Sequence, residues 1–355
     1  MHGKFSRLSK KICFISETGR ADRPILDPSV RYRCYHPAEA LLQQGHYCSI
    51  YSATQFYQNP CLDFDVYVFH RPNMARANFD AVTDYLSRSG RTLIADYDDL
   101  IFGDAEVALQ SSAVKNETLQ PEQAIAAFAS NLAGLRKFTK VTVSTKPLAH
   151  RVREANPGAQ VEVVPNMLPQ SILDVHEALG TPLRPRPQTS IGYFAGTRSH
   201  DRDFPIVEEV LHRVLSENPE FNLLVVGPVA VPQAIATLPN VNTVQAVNFL
   251  RLPSLMTMCA TVIAPLEASA FNSCKSRVKF LEAALTGCRL IATPIPDMRA
   301  IGPEHLVLAD TKDEWYEALS FPPDPGELRN QVERNFRFLR ANSGIEGLKL
   351  LGGLV

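Results

Sequence analysis

Four groups of residues in this sequence have types and spacings that could do chemistry. The first is Phe271-Asn272-Ser273-Cys274-Lys275-Ser276, followed by Lys279 and Glu282. It reads as a loop of small residues that opens a helix near Ser273–Ser276. Backbone N–H groups of such a loop can approach a ligand closely, and a helix N-terminus favours an anion. Lys275, in the first turn, could pair with a phosphate as a point charge. Lys275, Lys279 and Glu282 follow at intervals of four and three, so the pattern puts them on one helix face. Glu282, one turn deeper, could accept hydrogen bonds from a ribose diol. A plain surface helix with a Lys–Glu pair fits the same pattern.

The second group is Ile191–Phe204, IGYFAGTRSHDRDF. Gly196 permits a tight turn after a buried strand. Thr197, Arg198, His200, Arg202 and Asp203 then crowd the end of that strand. At the strand end, where a cleft should lie, these charged residues could meet a ligand. A solvated charged loop is the bland alternative. The third group is Asp96, Asp98 and Asp99 at the end of another buried strand. Asp98 or Asp99 could polarise an attacking hydroxyl. Helix capping by Asp explains the same residues. The fourth is His70-Arg71-Pro72, again at a strand end, where Arg71 could hold an acceptor phosphate or carboxylate. An ordinary edge-of-core histidine accounts for His70 as well.

Positioning these groups requires alternating strands and helices. Short apolar runs at Lys11–Glu17, Tyr47–Tyr51, Asp65–His70, Arg91–Ala95, Lys140–Ser144 and Gln160–Val164 are separated by helical stretches. A second series follows at Ser190–Phe194, Asn222–Val226, Thr261–Pro265, Arg289–Thr293 and Leu306–Leu308. Continuous apolar strands between helices predict parallel sheets covered on both faces. The 355 residues are enough for two such domains. They divide as residues 1–168, a proline-bearing linker 169–188, residues 189–324, and a terminal helical segment 325–355. Ligands of such sheets bind beyond the carboxyl ends of the strands. Two facing domains would therefore hold two substrates across a cleft.

The segment Ala264–Pro294 resembles the donor-site motif of retaining GT-B glycosyltransferases. Glu282-Ala283-Ala284-Leu285-Thr286-Gly287 and the strand after it match the second half of that motif. Cys274 stands where the family places a first glutamate. The Lys275-Ser276 pair is similar to a variant in bacterial polysaccharide-assembly enzymes. Ile191–Phe204 is similar to the stretch where the family carries a glycine and a basic residue for the donor diphosphate. Val161–Leu168 resembles the hinge, a strand followed by Pro-Asn. Arg31 and Arg33, beside His36-Pro37, resemble the region that closes over the diphosphate and receives the acceptor. The resemblance implies an α/β GT-B fold of two Rossmann-like domains, with the terminal helix packing back on the first. It implies sugar transfer from a nucleotide diphosphate sugar to a hydroxyl of a glycan or lipid-linked acceptor. Retention of configuration and independence from metal follow from the same resemblance. Donor binding then falls to Gly196, Thr197, Arg198, Arg202, Asn272, Ser273, Lys275, Ser276, Lys279 and Glu282. Acceptor binding falls to Arg33, His70 and Arg71, and catalysis to Asp98, Asp99 and His200.

Other classes lack their signals. No G-x-G-x-x-G follows a strand, and neither a P-loop nor a G-x-S-x-G elbow is present. Net charge is -1, which gives no basic excess for nucleic acid. The 7 cysteines form no C-x-x-C pair, so neither a zinc site nor a disulfide framework is signalled. A reducing cytoplasm is the expected compartment. No uncharged apolar run is long enough to span a bilayer, and a peripheral inner-membrane contact is the minor expectation. No cofactor is expected beyond the nucleotide sugar as co-substrate. Two other functions fit the same two-domain shape: a nucleotide-sugar epimerase, and a silent glycosyltransferase-like partner subunit.

Overall fold

The computed structural model describes residues 9–179, 185–196 and 202–348. Twelve strands occur in it: β1 Lys11–Ser16, β2 Tyr47–Ser52, β3 Val66–His70, β4 Thr92–Tyr97, β5 Lys140–Val143, β6 Gln160–Val163, β7 Ser190–Phe194, β8 Asn222–Val226, β9 Val241–Val244, β10 Thr261–Ala264, β11 Arg289–Ala292 and β12 Val307–Leu308. They form two six-stranded sheets, in orders β2-β1-β3-β4-β5-β6 and β12-β11-β10-β7-β8-β9. Every strand pairing is parallel. The central strands β3 and β7 are buried at all five positions each. That burial is why their sequences read as unbroken apolar runs.

Two differences from the sequence expectation are an edge strand and a helix in the linker. Strand β9 carries Asn242 and Thr243 on exposed positions, because it is an edge strand with little to bury. The stretch read as linker contains a helix, Gln170–Leu179. Its buried face is only Leu173 and His176, too sparse to show as periodicity. His176 stacks on Phe336 with ring centroids 4.4 Å apart, and its Nε2 lies 3.1 Å from the Leu285 carbonyl.

After the second sheet the long helix Pro325–Asn342 packs on the helix Val278–Leu285. The chain then returns to the first lobe. The Gly344 N–H donates to the Leu168 carbonyl at 3.1 Å, and the Ile345 N–H to Gln170 Oε1 at 3.1 Å. The closing helix Gly344–Leu348 lies against the first-lobe helix His36–Gln43.

That first-lobe helix begins with a widened, π-helical turn, Arg31–Tyr35. From this turn Arg33 points into the lobe. Its Nε donates to Asp96 Oδ2 at 2.9 Å and its Nη2 to Asp96 Oδ1. Nη1 donates to the Val164 carbonyl at 2.6 Å and to Asn166 Oδ1 at 3.1 Å. Thr142 Oγ1 donates to Asp96 Oδ1 at 2.6 Å. Burial alone would lower the Arg33 pKa, but the Asp96 carboxylate more than offsets this and raises it. The pair links β4, β5 and the hinge after β6 to the turn after β1. Asp96→Ala would strand a buried cation, which costs about 3–5 kcal/mol. Urea unfolding of the variant should show a loss of that size, and a loss within the scatter of surface substitutions would refute the structural role.

Candidate functional site

The order in which successive strands are laid down reverses between β1 and β3 in the first sheet, and between β7 and β10 in the second, while all strands stay parallel. In open parallel sheets a crevice forms at such switch points, beyond the strand ends. The carboxyl edges of the two sheets meet each other here. Thr145, after β5, donates its Oγ1 to the Cys274 carbonyl at 2.9 Å. Asn166, after β6, donates its Nδ2 to Ser276 Oγ at 2.8 Å. The Tyr32 hydroxyl reaches Glu282 Oε1 at 3.4 Å. Lys115 Nζ lies 3.8 Å from Glu267 Oε2.

The second-lobe side departs from the expected helix start. Ser269 Oγ accepts from the Asn272 N–H and caps a short helix, Ala270–Ser273. The chain then breaks across Cys274–Arg277 before the helix Val278–Leu285. The break has a cause in both lobes. The Cys274 carbonyl is taken by Thr145, and the Arg277 N–H by Asp297 Oδ2 at 2.7 Å. Arg277 also forks onto Asp297, with Nη2 to Oδ1 at 2.6 Å. Lys275 and Ser276 therefore lie in the break, not in a helical first turn. Asp297 already occupies part of the helix N-terminus that was expected to face an anion. Lys275 is half-buried, with Nζ 5.3 Å from the Phe271 ring centroid. It forms no ion pair among the described residues. Lys279 donates to Glu282 Oε2 at 2.8 Å, so that pair shares a face as read. Ser273 donates to the Ala270 carbonyl at 2.7 Å. Asn272 is buried, its Nδ2 on the Glu267 carbonyl at 2.9 Å and its Oδ1 without a partner among the described residues. Cys274 is 1% exposed and packs into the first-lobe core beside Phe271. Burial pushes its thiol up to about 11.

On the first-lobe side Arg71 is the centre. It follows β3 with φ of 52°, a left-handed conformation that costs a non-glycine residue energy. Its N–H donates to the Asp96 carbonyl at 2.7 Å. Its Nε donates to Asp98 Oδ1 at 2.7 Å, and Nη2 to Asp99 Oδ2 at 3.1 Å. Asp98 is buried and also accepts from Ser29 Oγ. Burial would raise the Asp98 pKa, but Arg71 and His70 outweigh it and hold the carboxyl well below its usual range. His70 is 1% exposed, with Nε2 at 2.7 Å from Ser29 Oγ. Its Nδ1 is buried without a partner among the described residues.

These positions correct several expectations. Arg33 cannot meet an acceptor, because both its forks are spent inside the lobe on Asp96, Val164 and Asn166. His70 is sealed beneath Ser29 and supports Asp98 instead of facing the cleft. The three aspartates do not face the cleft together: Asp96 turns inward, Asp98 is enclosed, and Asp99 remains partly exposed, its side chain at 31%. Gly196 has no positive φ and no described residue lies near where its Cβ would be, and the turn it was read to open falls outside the described residues. Arg202 is exposed, with Nη2 3.3 Å from Glu267 Oε1. Thr197, Arg198 and His200 lie outside the described residues.

Some participants escaped the sequence reading. Tyr32 and Phe249 face the seam, yet neither type is diagnostic of a ligand site. Gly227, at the end of β8, has φ of 121°, and a Cβ there would lie 1.9 Å from the Ala195 carbonyl. Only glycine lets the ends of β7 and β8 approach this closely. A lone glycine after an apolar run was the only available signal.

No protein-family model and no curated protein matches this sequence. Solved structures do resemble it. Trehalose 6-phosphate synthase from Burkholderia multivorans superposes with a TM-score of 0.61 at 11% identity, covering 98% of each chain. HepE from Anabaena, solved with UDP-glucose, gives 0.55 at 14% identity, covering 97% of this chain and 98% of its own. TarM from S. aureus, solved with UDP and alpha-GlcNAc-glycerol, gives 0.55 at 11% identity over 81% of this chain. This chain spans only 55% of TarM. These neighbours are GT-B glycosyltransferases. Two parallel six-stranded sheets joined at their carboxyl edges, in the arrangement of these proteins, give the chain the GT-B fold.

Proposed function

We propose that the chain transfers a glycosyl group from a nucleotide diphosphate sugar to a hydroxyl of a glycan or lipid-linked acceptor. The observation that carries this reading is Lys275. It is a half-buried cation with no carboxylate partner among the described residues, at the seam where two GT-B lobes meet. Negative charge builds on the diphosphate as the sugar leaves, and a fixed cation there stabilises it. Glu282, aligned by Lys279, receives the ribose. Asn272, whose Oδ1 has no partner among the described residues, with Ser273, Ser276, Gly196 and Arg202, lines the donor side. Thr197, Arg198 and His200 belong to the same proposed donor contact.

On the acceptor side Arg71 is the binding group and Asp99 orients the attacking hydroxyl. Asp98 is a positioning residue: a carboxylate held ionised by Arg71 and saturated with donors is a poor proton acceptor. Transfer with retention and without metal is part of the proposal, as is a cytoplasmic setting with peripheral membrane contact. Among the described residues no helix is long and apolar enough to cross a membrane. HepE and TarM were solved with uridine nucleotides, so UDP is the first ligand to test.

A thermal-shift screen over UDP, GDP, CMP, ADP and dTDP tests donor binding, because a ligand of the folded state raises apparent stability. Lys275→Ala should weaken diphosphate binding about tenfold or more, and Glu282→Ala should weaken nucleoside binding similarly. Wild-type binding by both variants would reject the site. Asp99→Asn should lower turnover in a product assay while donor affinity holds; unchanged turnover removes Asp99 from the reaction. Product formed without any acceptor would replace transfer by epimerisation. Cys274→Glu restores the family carboxylate but buries it against the first-lobe core. It should cost on the order of 3 kcal/mol of stability and give no gain in rate. A faster, equally stable variant would contradict this placement.

A further inference from the structure

The connection after β4 is far longer than the one after β5. There, only Ser144 and Thr145 precede the helix Lys146–Ala155. After β4 the chain makes an excursion with two short helices, Ala105–Leu109 and Ser112–Lys115, before the helix Pro121–Leu135. Connections in α/β units are short, and long ordered ones are drawn from lids and binding loops. The root of the excursion is fixed. Phe102 is buried edge-on against Tyr97, ring centroids 5.0 Å apart, and Asn131 Nδ2 donates to the Ile101 carbonyl at 2.8 Å. Gly103 then turns the chain with φ of 148°, where a Cβ would lie 2.8 Å from that of Val107. Beyond it the excursion satisfies itself. Asp104 Oδ1 accepts the Val107 N–H at 3.1 Å and caps the first helix. Glu117, with φ of 54°, ends the second, and the Thr118 and Leu119 N–H groups both donate to the Ala113 carbonyl, at 2.9 and 3.1 Å. Ala108 packs with Ala124 and Phe128 in a small cluster separate from the main first-lobe core.

The tip of the excursion crosses to the other lobe. Lys115 Nζ stands 3.8 Å from Glu267 Oε2, with the two side chains 31% and 30% exposed. Glu267 is a firm catch. Its N–H donates to Asp203 Oδ1 at 2.8 Å, its carbonyl accepts from Asn272, and Arg202 lies on its Oε1. The bond from Lys115 is a weak one, since a partly exposed ion pair contributes little and is screened by salt. Ser111, between the two short helices, is buried, and its hydroxyl has no partner among the described residues. An unmet hydroxyl costs free energy in the closed position, and water satisfies it on opening. A small core, an unmet hydroxyl and a weak latch put residues 103–119 among the parts of the fold that open most easily. Asp98 and Asp99 stand at the root. Asp98 is enclosed by Ser29, His70 and Arg71. Asp99 has one oxygen on Arg71 and is the carboxylate that an opening can uncover.

We propose that residues 103–119 are a gate on the acceptor side: a lid that turns at Gly103, is latched across the cleft by Lys115 on Glu267, and uncovers Asp99 when it opens. Closed, it keeps water from competing with an acceptor hydroxyl beside Asp99. Open, it gives a glycan chain a way in. That the uncovered carboxylate meets an acceptor rests on the function proposed above; the latch itself does not.

Two measurements on the full chain without ligand test this: amide hydrogen exchange, and carboxyl labelling by a water-soluble carbodiimide with glycine ethyl ester, both read by mass spectrometry. Lys115→Gln should speed exchange over residues 103–119 about two- to fivefold and leave the helix Lys146–Ala155 unchanged. Asp99 should label faster by the same factor, while Asp98 stays protected and Asp174, on the far helix Gln170–Leu179, does not change. High salt should reproduce these effects in wild type and add little in the variant. Glu267→Gln should match Lys115→Gln, and the double variant should be no faster than either. Lys115→Arg, which keeps the charge, should behave as wild type, and it carries the test if the Glu267 variant does not fold. Wild-type exchange in Lys115→Gln would mean that there is no latch and overturn the proposal. So would faster exchange with unchanged Asp99 labelling, which would place the lid elsewhere. Faster exchange spread equally over both lobes would make Lys115 a staple between them and overturn it as well. Failure of wild type to bind any nucleotide rejects the proposed function, yet these rates would still establish a latched lid over Asp99.

Discussion

The backbone break at Cys274–Arg277 is the constraint on which the rest of the site depends. A helix running unbroken from Ala270 to Leu285 would satisfy its own carbonyls and N–H groups. Here those groups are claimed from elsewhere: Thr145 takes the Cys274 carbonyl, Asn166 binds the Ser276 hydroxyl, and Asp297 takes the Arg277 N–H. Four residues are thereby held in a non-helical path between two lobes. Lys275 is one of them, and it forms no ion pair among the described residues. The same break turns Cys274 into the first-lobe core, so the position cannot present a side chain to a donor sugar.

Charge is distributed unevenly around this seam. On the first-lobe side, Arg71 is braced by Asp98 and Asp99, and Ser29 and His70 complete the shell around Asp98. Such a saturated network fixes geometry and resists change of protonation. On the second-lobe side Lys275 lacks a counter-charge among the described residues, and Arg31 reaches the same side from the first lobe, its guanidinium over the Phe249 ring. The left-handed backbone of Arg71 belongs to the same pattern, since strain of this kind persists where the surroundings over-determine a residue.

The lobes are tied together at their far side as well. Helix Pro325–Asn342 rides on the second lobe, and the chain after it returns to Leu168 and Gln170 near the hinge. The hinge is in turn bonded to Arg33 through the Val164 carbonyl and Asn166. Asn166 thus touches both the interior Arg33–Asp96 pair and Ser276 at the seam. Movement of one lobe would be felt in the buried ion pair of the other.

The sequence by itself determined the two parallel sheets. Runs such as Val66–His70 and Ser190–Phe194 must be buried on both faces, and only helices on either side achieve that. It also determined that Asp98, Arg71 and Lys275 follow strands, and hence that they lie near the carboxyl edges. It could not assign them roles. Asp96 and Asp99 are the same residue type three positions apart, yet one is an interior partner of Arg33 and the other borders the cleft. Arg31 and Arg33 are two positions apart, and a widened turn sends them to opposite places. Pairing partners come from segments a hundred or more residues away, as with Thr145 and Cys274. Such contacts are set by how the lobes pack, and local pattern carries no record of them.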